Sequence, residues 1–205
     1  MNKATRRGFS AGAALTMLGL GKGASAQPAP VKIGVIYPLS GNSASAGNYS
    51  KMAIEVGAAG CNLEDSFPAN GELRKPCDQV DRISCARQVA DRVKTRFFIN
   101  ARTDVFFQRP AEHHDNTMLE DAIERARLYA EAGADGLFAP GLVDIDLIRR
   151  LADASRLPLN VMVGDESPSV SILAQNGVAR VSYGPRPYLL TMKVLEEAAR
   201  AAIGY

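Results

Sequence analysis

The sequence is poor in the residues from which many metal and redox sites are built. Its 205 residues include no tryptophan, three cysteines and two histidines. Cys61, Cys77 and Cys85 lack metal-ligand spacing, and their odd number allows at most one disulfide. His113 and His114 are adjacent in a polar segment, whereas two imidazoles reach one metal more easily when they lie four residues apart on a helix. We therefore expect a small core residue at Cys61 and solvated histidines.

The chain also lacks a long apolar run and a strong charge imbalance. It carries 24 basic and 22 acidic residues, and four of the basic residues lie in the first 26 positions, where there is no acidic residue. No later stretch is apolar for long enough to span a bilayer. No basic patch with interleaved aromatic residues indicates a nucleic-acid partner. With 46% hydrophobic and 22% charged residues, the composition is typical of a globular domain.

The first 26 residues have the pattern of an export signal. Arg6 and Arg7 precede an apolar stretch at residues 11–20, and Ala24-Ser25-Ala26 follows. This order of charge, apolar core and small residues predicts cleavage after Ala26. The adjacent arginines favour the twin-arginine route, so the sequence predicts a periplasmic location.

Residues 27–56 form a separate unit of one predicted strand and one predicted helix. The strand, VKIGVI at residues 31–36, is ended by Pro38 and Gly41, and the helix covers residues 49–56. This unit resembles the start of periplasmic branched-chain amino-acid-binding proteins of ABC transporters. The resemblance implies an alternative function, that of an exported solute-binding protein for amino acids.

From residue 57 onward, short apolar runs alternate with amphipathic helices in five βα units. The predicted strands are 58–63, 96–101, 136–139, 157–163 and 178–183, and the predicted helices are 78–93, 117–132, 144–155, one between Ser167 and Gly177, and 187–203. We expect Thr117 and Glu120 to form a capping box and Ser167 to be an N-cap followed by Pro168. Alternation of this kind predicts a parallel sheet.

Charged residues follow two of the predicted strands. Glu64 and Asp65 come after CNL, and Arg102 and Asp104 come after FFINA. The carboxyl ends of parallel strands share one edge of a sheet, so these charges should meet there. A carboxylate pair beside an arginine suits a metal ion and an anionic substrate. The alternative is that these charges pair with each other or face solvent.

The segments NLEDS, INARTD, AGADGLFAPGL and PLNVM, in that order, resemble the isocitrate lyase/phosphoenolpyruvate mutase superfamily. The resemblance runs over residues 57–202 and implies a (β/α)₈ TIM-type barrel. Five units make the barrel incomplete, and a unit from another family stands where the third unit belonged. Residues 57–205 are thus predicted to be a partial barrel, and its exposed strand edges favour a homo-oligomer.

The resemblance also implies a chemistry. Members of the superfamily hold Mg²⁺ under a small anionic 2-oxo acid or phosphonate, and they make or break C–C or C–P bonds. By position in the motifs, Arg102 grips the substrate anion, Asn160 faces the substrate, and Glu64 reaches Mg²⁺ through water. The guanidinium of Arg102 can bind a carboxylate or phosphonate bidentately.

Two motifs of the superfamily have no counterpart in this chain. The place of the third-strand aspartates that bind the metal is taken by VKIGVIYPLSG, which contains no carboxylate. The Lys-Lys-Cys-Gly-His run of the lyases is reduced to Lys75-Pro76-Cys77. We therefore expect a catalytically impaired lyase fragment or a non-functional fusion product joined at Val56–Gly57. The superfamily that residues 57–205 resemble is cytoplasmic, whereas the export signal predicts a periplasmic location.

The export signal is tested with a reporter that must fold before it crosses the membrane. Residues 1–30 fused to this reporter should carry it to the periplasm, and cleavage should leave Gln27 first. Changing both Arg6 and Arg7 to lysine should abolish transport, because the twin-arginine route requires the arginine pair. Equal transport by both fusions, measured by cell fractionation, would contradict the assignment.

Overall fold

The computed structural model describes Met52, residues 57–94 and residues 96–204. The predicted signal at residues 1–26 and nearly all of the unit at residues 27–56, including its strand, lie outside the described residues. Cleavage after Ala26 and the fusion at Val56–Gly57 therefore stay predictions.

The described part is a parallel α/β structure in which strands and helices alternate. The strands are β1 (Gly60–Glu64), β2 (Phe98–Arg102), β3 (Gly136–Ala139), β4 (Leu159–Met162) and β5 (Val178–Ser182). The helices are α1 (Pro76–Arg92), α2 (Asn116–Glu131), α3 (Ile145–Ala154), α4 (Val170–Gln175) and α5 (Arg186–Ile203). Two 3₁₀ turns, Val105–Phe107 and Ala111–His113, lie between β2 and α2. The five predicted βα units are confirmed.

All five described strands pair in chain order, β1-β2-β3-β4-β5, and every pair is parallel. A doubly wound sheet reverses its strand order at a switch point, whereas a (β/α)₈ barrel adds each strand beside the previous one. The order therefore agrees with the barrel-type prediction. Among the described strands, β1 and β5 each have a single neighbour.

The two faces of the sheet have different compositions because side chains alternate along each strand. One face carries Leu63, Ile99, Leu137 and Leu159, all buried in the hydrophobic core. The helices add to this core the buried side chains Ile83, Leu119, Ile148, Leu151 and Leu173. The opposite face carries the polar residues Asn62, Glu64, Asn100, Arg102 and Asn160. The helices thus cover the apolar face, and the functional candidates share the other.

Helix α2 begins one residue earlier than the sequence predicts. Asp115 is its N-cap, and the Asp115 carboxylate accepts a hydrogen bond from the Met118 N–H at 3.0 Å. The expected capping box of Thr117 and Glu120 is therefore wrong. Aspartate and threonine are both good N-caps, and the aspartate comes first along the chain.

The cap of α4 also differs from the prediction. Ser169 caps this helix by accepting from the Ile172 N–H at 3.4 Å. Ser167 instead accepts from the Gly164 N–H at 2.8 Å, which closes the turn after β4. The expected N-cap at Ser167 with Pro168 in the first turn is wrong, because Ser167 is used to close that turn.

The three cysteines are free. Cys61 is buried in β1, as expected for a small core residue, and burial raises the pKa of its thiol to about 12. Cys77 is exposed at the start of α1 and Cys85 is half-buried. The structure therefore contains no disulfide among the three.

The final helix, α5, has no buried residue. Its exposed large apolar side chains are Tyr188, Leu189, Leu190, Met192, Val194, Leu195 and Ile203. No helix among the described residues is both long enough and apolar enough to cross a membrane.

Two leucine-to-alanine substitutions in different helices test this assignment of the core. Leu151 in α3 is 0% exposed, whereas Leu195 in α5 is 60% exposed. Leu151→Ala should lower the free energy of unfolding by about 2–5 kcal/mol through lost burial and a residual cavity. Leu195→Ala should change it by less than about 0.5 kcal/mol. Denaturant titrations would measure both, and a large loss at Leu195 would show that another chain covers α5.

Candidate active site

The predicted site residues of β1 and β2 meet at the carboxyl edge of the sheet. The parallel register places Glu64 opposite Arg102. It then continues through Phe138 on β3 to Asn160 on β4. Residues opposite each other in a sheet point to the same face, so these four side chains form one row. We call this set, Glu64, Arg102, Phe138 and Asn160, the strand-end row.

Arg102 is held by two carboxylates. Its Nε and Nη2 atoms donate to the two oxygens of Asp104 at 2.6 and 3.0 Å, which is a bidentate contact. Its Nη1 atom lies 3.1 Å from Oε2 of Glu64. The hydrogen bonds to Asp104 use two of the five N–H groups of a guanidinium, and the contact with Glu64 is an ion pair. N–H groups on both terminal nitrogens donate no hydrogen bond to a described residue, so they are available to another acceptor.

Two phenylalanine rings border the guanidinium of Arg102. Its central carbon lies 5.6 Å from the ring centroid of Phe107 and 6.0 Å from that of Phe138. Phe107 is 47% exposed, and it packs against Gly141, where an added Cβ would come within 2.8 Å of the ring. Gly141 also has a positive φ of 86°, so glycine is favoured there on both counts. The apolar rings reduce solvent around the cation and strengthen its electrostatic interactions.

A second layer of buried polar groups lies behind Arg102. The Asp104 carboxylate also accepts a hydrogen bond from the Ser66 hydroxyl. The backbone N–H of Asp104 donates to Oδ1 of Asp65 at 2.8 Å. The other oxygen of Asp65 accepts from the Tyr129 hydroxyl at 2.7 Å and from Nη1 of Arg125 at 3.1 Å. Arg102 is therefore supported by a connected network rather than by a single ion pair.

The sequence reasoning missed Arg125 as a member of the site. Ala122, Ala126 and Tyr129 are buried positions of α2, and Arg125 is buried among them. An arginine at such a position must find a partner, because burying an unpaired charge is costly. That signal predicts a buried ion pair, but only the folded chain shows that the partner is Asp65.

The carboxyl groups of Glu64 and Asp65 are affected by burial. Desolvation raises the pKa of Glu64, and Arg102 opposes this shift. Desolvation also raises the pKa of Asp65, whereas its hydrogen bonds with Asp104 and Tyr129 and the charge of Arg125 lower it. In both cases the partners favour the charged form, which opposes the cost of removing the carboxylate from water.

The described residues do not fit Mg²⁺. They contain no group of three His, Cys, Asp or Glu side chains that could hold a metal ion. One oxygen of Glu64 faces Arg102, and the oxygens of Asp65 and Asp104 accept hydrogen bonds from protein donors. Mg²⁺ needs oxygen ligands in octahedral geometry, so Glu64 alone is not a site. The water-mediated role of Glu64 stays a prediction that needs carboxylates from outside the described residues.

Asn160 lies in the strand-end row but does not contact Arg102 through any hydrogen bond. Its side chain is 2% exposed, and its Oδ1 atom has no hydrogen-bond partner among the described residues. Two strand spacings of about 4.8 Å separate the backbones of β2 and β4. A buried amide oxygen without a partner is uncommon and is suited to a donor on a ligand or a water molecule.

The adjacent histidines differ in their surroundings. His113 is exposed, as expected for a solvated loop residue. His114 is half-buried, with its Nε2 atom 2.9 Å from the Phe106 carbonyl oxygen and 3.2 Å from that of Arg109. Its ring also packs edge-to-face on Phe106 at 5.2 Å. The expectation of a solvated side chain is therefore wrong for His114. Its contacts with two backbone carbonyl groups connect residues of the loop after Arg102.

A comparison with known protein families identifies the family of this chain. Residues 28–203 match the family model described as phosphoenolpyruvate phosphomutase. The chain belongs to this family. The superfamily predicted from the strand-end motifs is thereby confirmed. Because the match begins at residue 28, it includes most of the unit that resembles a binding protein, and the signal and binding-protein assignments stay predictions.

Individual curated proteins are similar to the chain over part of their length. The chain is 35% identical to an uncharacterised protein of Mycobacterium tuberculosis H37Rv, over 72% of this chain and 52% of that protein. It is 34% identical to 2-methylisocitrate lyase of Escherichia coli K12, over 53% of this chain and 36% of the lyase. The chain thus spans about half the length, or less, of these curated relatives.

A solved member supports the fold. The crystal structure of a candidate phosphonomutase from Burkholderia cenocepacia J2315 superimposes with a TM-score of 0.76 at 51% identity. The match covers 81% of this chain and 66% of that protein. The parallel sheet with alternating helices is therefore shared with this candidate phosphonomutase.

Glu64 gives a pH-dependent prediction. Burial raises its pKa above the ordinary value of 4.5, so the folded state holds this proton more tightly than the unfolded state does. Its contribution to stability is complete below the unfolded pKa and is lost as pH rises through the folded pKa. Glu64→Gln should therefore reduce the fall in stability that the wild-type protein shows as pH rises above about 4.5. The measurement is denaturant unfolding at a series of pH values from below to above that point.

The control for this experiment is Glu112→Gln, because Glu112 is exposed. It should leave the pH dependence of the wild-type protein unchanged. If the Glu64 and Glu112 variants show the same pH dependence as each other, the raised pKa of Glu64 is contradicted.

Proposed function

We propose that the strand-end row binds the anionic end of a small 2-oxo-acid-type substrate, as part of a lyase or mutase site for C–C or C–P bonds. The proposal rests on the contacts of the Arg102 guanidinium. Its guanidinium is oriented by Asp104 and Glu64, yet N–H groups on both terminal nitrogens donate to no described residue. A guanidinium that offers donors from two nitrogens suits a carboxylate or a phosphonate.

The surroundings of Arg102 favour a small ligand. Phe107 and Phe138 border the guanidinium, and Asn160 presents an unpaired oxygen in the same row. A ligand with one anionic end and a hydroxyl or enol donor would satisfy both Arg102 and Asn160.

The relatives support the choice of substrate class. One of them is named 2-methylisocitrate lyase, and a solved relative at 51% identity is described as a candidate phosphonomutase. Oxaloacetate decarboxylase of Bradyrhizobium is also similar, at 33% identity over 42% of this chain. These names share small organic acids or phosphonates as the reacting class, which is the chemistry that Arg102 would recognise.

We further propose that turnover by this chain is impaired. Mg²⁺, when bound in such a site, supplies Lewis-acid stabilisation of a developing enolate. The described residues offer no ligand set for it, and the Lys-Lys-Cys-Gly-His run is missing. Losing several kcal/mol of transition-state stabilisation lowers a rate by a factor of about ten for every 1.36 kcal/mol. Anion binding at Arg102 does not need the metal and should persist.

Location and assembly are part of the same proposal. The charge and apolar pattern of residues 1–26 supports export to the periplasm. Single-neighbour strands at both ends of the described sheet and the exposed apolar side chains of α5 support association between copies of the chain.

Oxalate is a suitable probe, because it is a small dianion that resembles the enolate of a 2-oxo acid. Isothermal titration calorimetry in Mg²⁺-free buffer should detect oxalate binding to the full chain. Arg102→Ala should weaken it by a factor of about 10–100, the expected loss of a charge-assisted contact of about 1.5–3 kcal/mol. Arg102→Lys should recover only part of the affinity, because an ammonium cannot form the bidentate contact.

The matched control is Arg149→Ala, which removes an exposed arginine of α3 that pairs with Asp146. It should leave oxalate affinity unchanged. Equal affinity of the wild-type and Arg102→Ala proteins, or no binding to either, would contradict the proposed function.

A further inference from the structure

Asp65 is a fully buried carboxylate with three hydrogen-bond donors. Its Oδ1 atom accepts from the backbone N–H of Asp104 at 2.8 Å. Its Oδ2 atom accepts from the Tyr129 hydroxyl at 2.7 Å and from Nη1 of Arg125 at 3.1 Å. Donors from the end of β2 and from α2 thus hold the carboxylate in one orientation.

The main chain of Asp65 is fixed as well. Its N–H donates to the Arg102 carbonyl oxygen at 3.0 Å, and its carbonyl oxygen accepts from the Arg74 N–H at 2.7 Å. Arg125 donates from the same Nη1 atom to the Arg74 carbonyl oxygen at 3.2 Å. The end of β1, the end of β2, the following loop and α2 therefore meet at this one residue.

Asp104 connects Asp65 to the anion site. Its backbone N–H is directed at Asp65, while its carboxylate binds Nε and Nη2 of Arg102. Because both bonds belong to one residue, the peptide that Asp65 holds also sets the direction of the Asp104 carboxylate. A side chain that positions a binding group in this way commonly changes affinity without touching the ligand.

Filling space alone does not account for a carboxylate at this position. Burying a charge costs free energy, and an apolar side chain of similar volume often gives equal or greater stability. The three donors of Asp65 are instead arranged so that one of them is the backbone of the residue that orients Arg102.

We propose that Asp65 is a positioning residue for the Arg102 anion site, acting through Asp104, with Tyr129 and Arg125 holding Asp65 in place. By fixing Asp104 on the Nε side of the guanidinium, Asp65 leaves the terminal N–H groups directed at the ligand. This inference rests on the proposed function and identifies the residues that prepare the binding geometry.

The test uses the full chain with two substitutions and two readouts. Asp65→Asn replaces one acceptor oxygen with an amide nitrogen that cannot accept, so either the Asp104 N–H or the donors of Tyr129 and Arg125 lose their acceptor. Tyr129→Phe removes only the hydroxyl. Oxalate affinity should fall about tenfold in Asp65→Asn and about threefold in Tyr129→Phe. The Nε–H signal of Arg102 in ¹H–¹⁵N NMR, assigned by its loss in Arg102→Lys, should shift and exchange faster with solvent in both variants.

The NMR signal separates positioning from a merely structural role. A general loss of stability lowers the melting temperature but does not by itself change the Arg102–Asp104 contact in the folded protein. The control is Asp121→Asn, which removes the other carboxylate that pairs with Arg125, at 3.0 Å on its solvent side. This variant should keep both the oxalate affinity and the Nε–H signal of the wild-type protein.

The outcomes are distinct for the two proposals. An unchanged Nε–H signal in folded Asp65→Asn would overturn the positioning role, and if that variant does not fold, an unchanged signal in Tyr129→Phe would do so. If oxalate affinity is insensitive to Arg102→Ala, the proposed function fails, while the Nε–H signal still decides whether Asp65 orients Asp104 and Arg102.

Discussion

The bidentate contact between Arg102 and Asp104 is the interaction on which the candidate site depends. It joins the last residue of β2 to the loop that follows, and Glu64 adds a contact from the neighbouring strand. The parallel register of β1 and β2 makes this geometry possible, because it places Glu64 directly opposite Arg102. The same register continues to Asn160, so the architecture of the sheet sets the spacing of the groups that would meet a ligand.

Much of the fold could be predicted because its signals are local. The alternation of short apolar runs and amphipathic helices predicted five βα units, and β3 has the predicted bounds, Gly136–Ala139. The ends of helices were less accurate, because several residues near α2 and α4 are good caps. Asp115 and Ser169 are the N-caps in the structure. The path of the backbone decides this, because residue type alone does not distinguish them from the neighbouring candidates.

The site was predictable only in part. Glu64 and Arg102 follow apolar strands, so their meeting at one edge could be expected from the alternation of strands and helices. Arg125 and Tyr129 lie 60 and 64 residues from Asp65, and no local pattern links such positions. The sequence left two alternatives for Arg102, which were an ion pair with nearby carboxylates and the binding of an anion. In the structure Arg102 pairs with carboxylates and still has N–H groups that donate to no described residue.

The chain belongs to the phosphoenolpyruvate phosphomutase family. The chemistry of its described residues nevertheless leads us to different expectations for ligand binding and for turnover. The guanidinium of Arg102, the proposed anion site, is supported by a buried network, whereas the described residues provide no set of metal ligands. We therefore expect binding and turnover to be separable, because arginine binds an anion directly and enolate stabilisation requires a further electrophile.

A crystal structure of the protein with oxalate would show whether Arg102 binds an anion in the proposed way. We expect two oxalate oxygens within about 3 Å of Nη1 and Nη2 of Arg102, with Asp104 still bound to Nε. Oxalate bound elsewhere, or an Arg102 side chain turned away from Asp104 when oxalate is present, would contradict it.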